Sequence, residues 1–167
     1  MKNLFLIRHA KSSWKETGLK DFDRPLNKRG KENLKIMSKF FTDKFPKPDL
    51  ILSSPAERAK QTAIAFAEKL DYAFSNIKFI DDLYMASDDE IKEVISALNE
   101  EIRSLIVFGH NPGLTDFVNS YSQSYLDNIP TCGIVKLETD KKWSEIKAKC
   151  FLLQDFLYPK MFLESDD

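Results

Sequence analysis

The sequence predicts a single α/β domain of three layers: a mostly parallel central sheet, helices on both of its faces, and a hairpin at a sheet edge near the C-terminus. Three observations carry that expectation. The runs Leu4-Phe5-Leu6-Ile7, Leu50-Ile51-Leu52 and Leu105-Ile106-Val107-Phe108 are apolar without alternation, as strands buried on both faces are. Stretches of helical period separate them, each announced by capping residues. The 167 residues amount to one domain. A chain of that size buries roughly 68 to 70% of its unfolded surface and needs no disulfide or metal staple.

In chain order, strands are expected at Asn3 to Ile7, Asp49 to Ser53, Ile77 to Ile80, Ser104 to Phe108 and Ile134 to Glu138. A sixth, Ile146 to Leu153, would pair with the fifth across Asp140-Lys141-Lys142-Trp143 as the edge hairpin. Asn27 caps a helix reaching about Phe41, with Leu34, Met37 and Phe41 on one face. Ser54-Pro55-Ala56-Glu57 reads as a capping box opening a helix to about Leu70. Ser87-Asp88-Asp89-Glu90 repeats that logic for a helix to about Leu98, and Asn111-Pro112 starts one to about Tyr121. The domain is expected to span residues 1–163, with Glu164-Ser165-Asp166-Asp167 as a frayed acidic tail.

Composition excludes several classes of function. With 43% hydrophobic and 31% charged residues the chain is an ordinary globule, not a disordered one. Its 25 basic and 26 acidic side chains leave a net charge of -1, and the basic ones are dispersed, which disfavours a sequence-independent grip on nucleic acid. No apolar run approaches the roughly 18 residues of a membrane span, and the first apolar run passes straight into Arg8-His9 without a signal-peptide pattern. A cytoplasmic monomer is expected. Cys132 and Cys150 form no C-x-x-C pair and read as reduced thiols. Two histidines, His9 and His110, cannot assemble a zinc site of the usual spacing, so neither metal nor cofactor is expected.

Chemistry enters where buried strands end. The first run leads into Arg8-His9-Ala10-Lys11, the second into Ser53-Ser54-Pro55-Ala56-Glu57-Arg58, and the third into Gly109-His110-Asn111-Pro112-Gly113. In open α/β sheets ligands bind outside the carboxyl ends of strands, so both histidines and two arginines would share one rim. Arg58 falls in the first turn of its helix, where the macrodipole disfavours a cation unless an anion completes the site. Its Cα–Cβ bond leans toward the helix N-terminus, so the guanidinium can reach back over the strand end. Two arginines, two histidines and helix N-termini around one point make an anion hole with a nucleophile in it, and phosphate is the natural occupant. Asp23-Arg24-Pro25 forms a turn before the Asn27 helix, with Arg24 and Lys11 as further candidates for substrate contact. Trp14 reads as a loop anchor.

Ile7-Arg8-His9-Ala10, Ser53-Ser54-Pro55-Ala56-Glu57-Arg58-Ala59-Lys60-Gln61-Thr62 and Gly109-His110-Asn111-Pro112-Gly113 resemble the three signatures of the histidine phosphatase superfamily, the phosphoglycerate mutase-like fold. The short chain, Arg-His-Ala in place of Arg-His-Gly, the run Asp21 to Gly30 and Tyr158-Pro159-Lys160 look like its SixA-type phosphohistidine phosphatases. The resemblance implies that His9 is the nucleophile that is transiently phosphorylated. It further implies that Arg8 and Arg58 grip the phosphoryl oxygens and that His110 hydrogen-bonds the transferring group. Flanking guanidinium charges would keep the His9 ring unprotonated near neutral pH, and positive charge on the equatorial oxygens suits a loose phosphoryl transfer without a metal.

The family pattern fails at one point. Relatives that cleave phosphate monoesters carry a carboxylic general acid, either directly after the second histidine, here Asn111, or in the segment Asp81 to Ser87, where Met85 stands at the expected place. Asp82 is the nearest substitute, although a strand-end turn accounts for it better. An alkoxide needs a proton as it leaves, whereas imidazole, with a reference pKa of about 6.5, departs readily. The leading expectation is therefore a metal-independent phosphatase acting on phosphohistidine of a partner protein. Two alternatives are a small-molecule phosphomonoesterase using Asp82 or water as acid, and a catalytically weak phosphate-binding module.

Overall fold

Strand β1 (Lys2–Arg8) runs between β4 (Ser104–Gly109), with which it pairs in parallel, and β5 (Ile134–Thr139), with which it pairs antiparallel. With β2 (Leu50–Ser53), β3 (Lys78–Phe79) and β6 (Leu152–Leu157), they form one six-stranded sheet in the order β3-β2-β4-β1-β5-β6. The β3-β2-β4-β1 half is parallel and the β5-β6 end antiparallel, so the expected α/β class and edge hairpin are both present. This computed structural model describes residues 1–15 and 17–163; the acidic tail expected at 164–167 lies outside the described residues.

The unbroken apolar runs are explained by two cores. Leu4, Leu6, Leu50, Leu52, Leu105 and Val107 face α3 (Asp88–Ser96) and α4 (Gly113–Tyr121), packing on Ile91, Ile95, Leu114 and Phe117. Their neighbours Phe5, Ile7, Ile51, Ile106 and Phe108 point the other way, against α1 (Lys28–Lys44) and α2 (Glu57–Lys69). There the rings of Phe5, Phe41, Phe66 and Phe108 meet edge-on at centroid separations of 4.9, 5.7 and 5.2 Å, tying β1 and β4 to both helices.

Helix starts test the capping arguments. Asn27 accepts from the Gly30 N–H at 2.7 Å, and Ser87 with Glu90 closes a complete capping box on α3. The box expected at Ser54-Pro55-Ala56-Glu57 does not form: α2 begins at Glu57, so Ala56 precedes it without a side-chain cap, while the buried Ser54 hydroxyl accepts from the Ala56 N–H and lies against His110. Asn111-Pro112 likewise precedes α4, which begins at Gly113. The last strand is displaced from the expected 146–153, since a 3-10 turn at Trp143–Glu145 and the buried Trp143 and Ile146 lengthen the connection before β6. A short helix, α5 (Lys160–Leu163), ends the described chain.

Gly30 carries the approach of α1 to the loop after β1. A Cβ built there would sit 2.1 Å from the Lys11 carbonyl oxygen, a backbone atom, while the Asn27 N–H donates to that same oxygen at 3.0 Å. Gly30→Ala should therefore push helix and loop apart and cost about 2 kcal/mol or more, as overpacking does. Urea unfolding measures it; an unchanged midpoint would show that the two segments separate freely.

Candidate active site

The carboxyl ends of β1, β2 and β4 are aligned by their pairing: Arg8 sits opposite Gly109 and Ser53 opposite Phe108. The next residue along each strand is His9, Ser54 or His110. The His9 N–H donates to Gly109 O at 3.2 Å and the Ser54 N–H to Phe108 O at 3.0 Å, extending the ladder one rung into the loops. The imidazole centroids of His9 and His110 end 5.2 Å apart.

Beyond these ends lies a cavity of about 370 Å³ into which the structure brings Arg8, His9, Lys11, Arg24, Arg58 and His110. Asp82 is not among its walls. It is exposed and borders a separate depression with Glu90 and Glu93, because the 3-10 turn Asp81–Leu83 buries Leu83 and turns the carboxylates outward. Met85 does line the cavity, its sulfur 3.8 Å from Arg58 Nη2. Asn111 lines it too, but its amide is spent on structure. It donates to Asn128 Oδ1 and Ile129 O, each at 2.9 Å, and accepts from the Thr115 hydroxyl at 2.9 Å.

His9 Nδ1 lies 2.7 Å from the Ala10 carbonyl, an acceptor only, so Nδ1 carries the proton and Nε2 the free lone pair. Burial, reinforced by Arg58, Arg8 and Arg24, lowers the His9 pKa to about 4 despite that hydrogen bond. His110 is lowered to about 3 by burial first, then by His9 and Arg58. Ser54 Oγ accepts from the Ala56 N–H at 3.2 Å and lies 2.8 Å from His110 Nε2, a contact that either neutral tautomer of the ring can make.

Five buried side-chain polar atoms have no hydrogen-bond partner among the described residues, and three of them belong to this cavity: Arg8 Nε, Arg58 Nε and His110 Nδ1. Buried polar atoms are rarely left so. Each guanidinium is anchored through its terminal nitrogens, Arg8 by one and Arg58 by both. Arg8 Nη1 donates to Ile129 O at 3.0 Å. Arg58, 2% exposed, donates from Nη1 to Asp21 O at 2.7 Å and from Nη2 to Asp21 Oδ2 at 3.0 Å.

Asp21 was not singled out by the sequence reading. Besides Arg58, it accepts from Arg24 Nε at 3.2 Å, Arg24 Nη2 at 3.1 Å and the Tyr84 hydroxyl at 2.5 Å. Burial pushes its pKa up, but the hydrogen bonds of Tyr84 and Arg58 outweigh this and bring it down to about 2. The signal available was an acid three residues before Arg24 inside a run already noted. Arg24 is largely committed: it also donates to Ser12 Oγ at 2.7 Å and stacks 3.5 Å from the Trp14 ring centroid. Lys11 remains exposed. Thr62, also missed, accepts from the Ala10 N–H at 3.0 Å and donates to Arg58 O at 2.8 Å, joining the His9 loop to α2. Among the described residues no group of three or more His, Cys, Asp or Glu is placed to hold a metal ion. Nor is any described helix long and apolar enough to cross a membrane.

The carboxyl ends of the parallel strands thus gather two neutral imidazoles and two guanidiniums, a setting suited to an anionic ligand. The chain belongs to the histidine phosphatase superfamily (branch 1), whose family model matches residues 4–102. It is 30% identical over 156 residues to an uncharacterised chloroplastic protein of Arabidopsis thaliana, covering 88% of this chain and 71% of that one. Among solved structures it is similar to SixA of Agrobacterium tumefaciens, a candidate phosphohistidine phosphatase, with a TM-score of 0.81 and 31% identity over 95% of this chain and 98% of that one. A protein histidine phosphatase SixA in complex with tungstate shares the fold at a TM-score of 0.82 and 20% identity, over 96% of this chain and 99% of that one.

The ring environments set a pH test with a definite sign. Both folded-state pKa values lie below the unfolded value of about 6.5. As pH falls through about 6.5 the unfolded chain takes up protons that the folded chain refuses, so these rings make stability fall on acidification, until they too protonate near 4 and 3. In an NMR titration the imidazole signals should show no midpoint near 6.5; a ring titrating there would mean that it is solvated in the folded protein.

Proposed function

We propose that the protein is a metal-independent, cytoplasmic phosphatase that transfers a phosphoryl group to His9 and then to water, and that its substrate is phosphohistidine carried by a partner protein. The observation that carries this reading is a set of three buried, unpartnered nitrogens lining one cavity with a neutral His9: the guanidinium donors Arg8 Nε and Arg58 Nε, and the ring nitrogen His110 Nδ1. Two guanidinium N–H groups and an imidazole nitrogen able to carry a third suit the equatorial oxygens of a phosphoryl group in flight.

In the first step the His9 Nε2 lone pair attacks phosphorus, a new N–P bond forms, and the bond to the leaving nitrogen breaks with its electron pair departing on the substrate imidazole, which takes a proton from water. In the second, water attacks the phosphohistidine of His9. Its proton passes to solvent, the His9 N–P bond breaks, and orthophosphate leaves. Two arginines stabilise charge in both steps, so no metal is required. The SixA likeness supports the choice of substrate. So does the cavity's acid-base inventory. Among the described lining residues the one carboxyl group is Asp21, held near a pKa of about 2 and therefore ionised at neutral pH, unable to protonate an alkoxide.

Leaving-group dependence tests the reading. Phosphohistidine and aryl phosphates should turn over much faster than alkyl phosphates at saturation, and Met85→Glu, which adds a carboxyl at the cavity wall, should raise alkyl phosphate activity selectively. An acid-labile, alkali-stable phosphoenzyme should map to His9. A flat dependence on leaving-group pKa would favour the phosphomonoesterase, and no turnover of any phosphate the binding module.

Arg58→Lys should be nearly as harmful as Arg58→Ala. Lysine keeps the charge but loses both the Nε donor and the planar fork that Asp21 orients. The expected fall in kcat is about 10²-fold or more, as for loss of a preorganised donor. A lysine variant with near-normal kcat would show that only diffuse charge matters there.

A further inference from the structure

A second cavity, of about 500 Å³, adjoins the phosphoryl site and shares two wall residues with it, Lys11 and Thr131. Its floor is the Pro130-Thr131 segment, which follows the Ile129 carbonyl that anchors Arg8 and precedes Cys132, whose N–H donates to Arg8 O and His9 O. One side is the first turn of α1, with Arg29. The other is Tyr158 and Leu163 around α5. The groove is thus continuous with the catalytic loops and larger than the site that a phosphoryl group occupies.

Its chemistry is one-signed. Lys11 and Arg29 supply cations and no described lining residue is acidic, in a chain whose net charge is -1. Arg29 is exposed, and neither its guanidinium nor the Lys11 ammonium has an ion-pair partner among the described residues. Tyr158, Leu163 and two prolines give the groove an apolar surface beside those charges. A cationic groove with aromatic and aliphatic walls, opening from the phosphoryl site, fits an acidic stretch of polypeptide better than it fits solvent.

We propose that this groove binds the segment flanking the phosphorylated residue of the substrate protein, with acidic side chains of that segment against Arg29 and Lys11 and an apolar one against Tyr158 and Leu163. The inference rests on the proposed phosphatase reading and extends it from the phosphoryl group to the surrounding polypeptide. Selection for protein-borne substrates would then reside outside the cavity that performs the chemistry.

The test uses two synthetic peptides phosphorylated on histidine, one flanked by glutamates and one by serines, with p-nitrophenyl phosphate as a substrate too small to reach the groove. Arg29→Glu reverses one groove charge at a position where a first-turn glutamate complements the helix dipole, so folding is preserved. The variant should raise KM for the glutamate-flanked peptide about tenfold while changing kcat/KM for the serine peptide and p-nitrophenyl phosphate by less than about twofold. Raised salt should erase the wild-type preference for the acidic peptide. Equal KM for the two peptides in the wild type, or an unchanged KM in Arg29→Glu, overturns the groove assignment. Fluorescence anisotropy of the unphosphorylated glutamate peptide separates the two proposals. Binding weakened by Arg29→Glu in a protein that turns over no phosphate supports the groove and removes the phosphatase reading. Binding indifferent to Arg29→Glu removes the groove, whatever the turnover.

Discussion

The pairing of Arg8 with Gly109 is the contact on which the site depends. Parallel neighbours present their carboxyl ends at the same level, so one fixed rung brings the following residue of each strand to the same place. Those residues are His9 and His110. A slip of one residue in the register would turn each strand's side chains to the opposite core, and the two cores are lined too differently for that: one by phenylalanine rings, the other largely by leucine, isoleucine and valine. The hydrophobic cores therefore set the catalytic geometry indirectly, by refusing any other register.

Placing two guanidiniums beside two imidazoles has an electrostatic cost, which the fold meets with acceptors chosen for position. Ile129 offers Arg8 a carbonyl; Asp21 offers Arg58 both a carbonyl and a carboxylate. Arg58 thereby has both terminal nitrogens engaged and Arg8 has Nη1, while Nε of each is left over. The same positive field, added to burial, keeps both rings neutral, which is the state a nucleophilic nitrogen requires. Asp21 fits this balance as an anchor and not as a proton donor, since Tyr84 and two arginines hold it ionised.

The loops around the site are tied to the scaffold at backbone level. Gly30 lets α1 rest on the Lys11 carbonyl. Gly113 does the same for α4, where a Cβ would stand 1.9 Å from Ala86 O, in the segment next to Met85. Asn111 bridges α4 to the Asn128-Ile129 segment, and Ile129 in turn holds Arg8. Asn111 thus fills the position of a possible acid with an amide whose two donors and carbonyl are all engaged, a role a carboxylate could not take over because it has no N–H to give.

Apolar patterning decided the buried strands and the layering around them, because an unbroken apolar run such as Leu4 to Ile7 can be satisfied only between two covering layers, but it misplaced the edge strand β6, whose start depends on the packing of Trp143 and Ile146. Local chemistry likewise decided the Asn27 and Ser87 caps, and Arg8, His9, Arg58 and His110 were legible because each lies within two residues of an expected strand end or in the first turn of an expected helix, inside a motif. What sequence could not decide were choices between partners distant in the chain. Ser54 reads in sequence as a helix cap, but α2 starts two residues after the expected place, and the hydroxyl joins the Ala56 N–H to His110, 56 residues away, a partner that only the closed sheet brings near. Asp82 and Asp21 were equally polar in sequence; only packing turned the first outward, with Leu83 inward, and folded the second onto Arg58, 37 residues on. Hydrogen bonds and ion pairs of that separation depend on the closed fold, and so the anchoring of the site, unlike its cast, belongs to the tertiary structure.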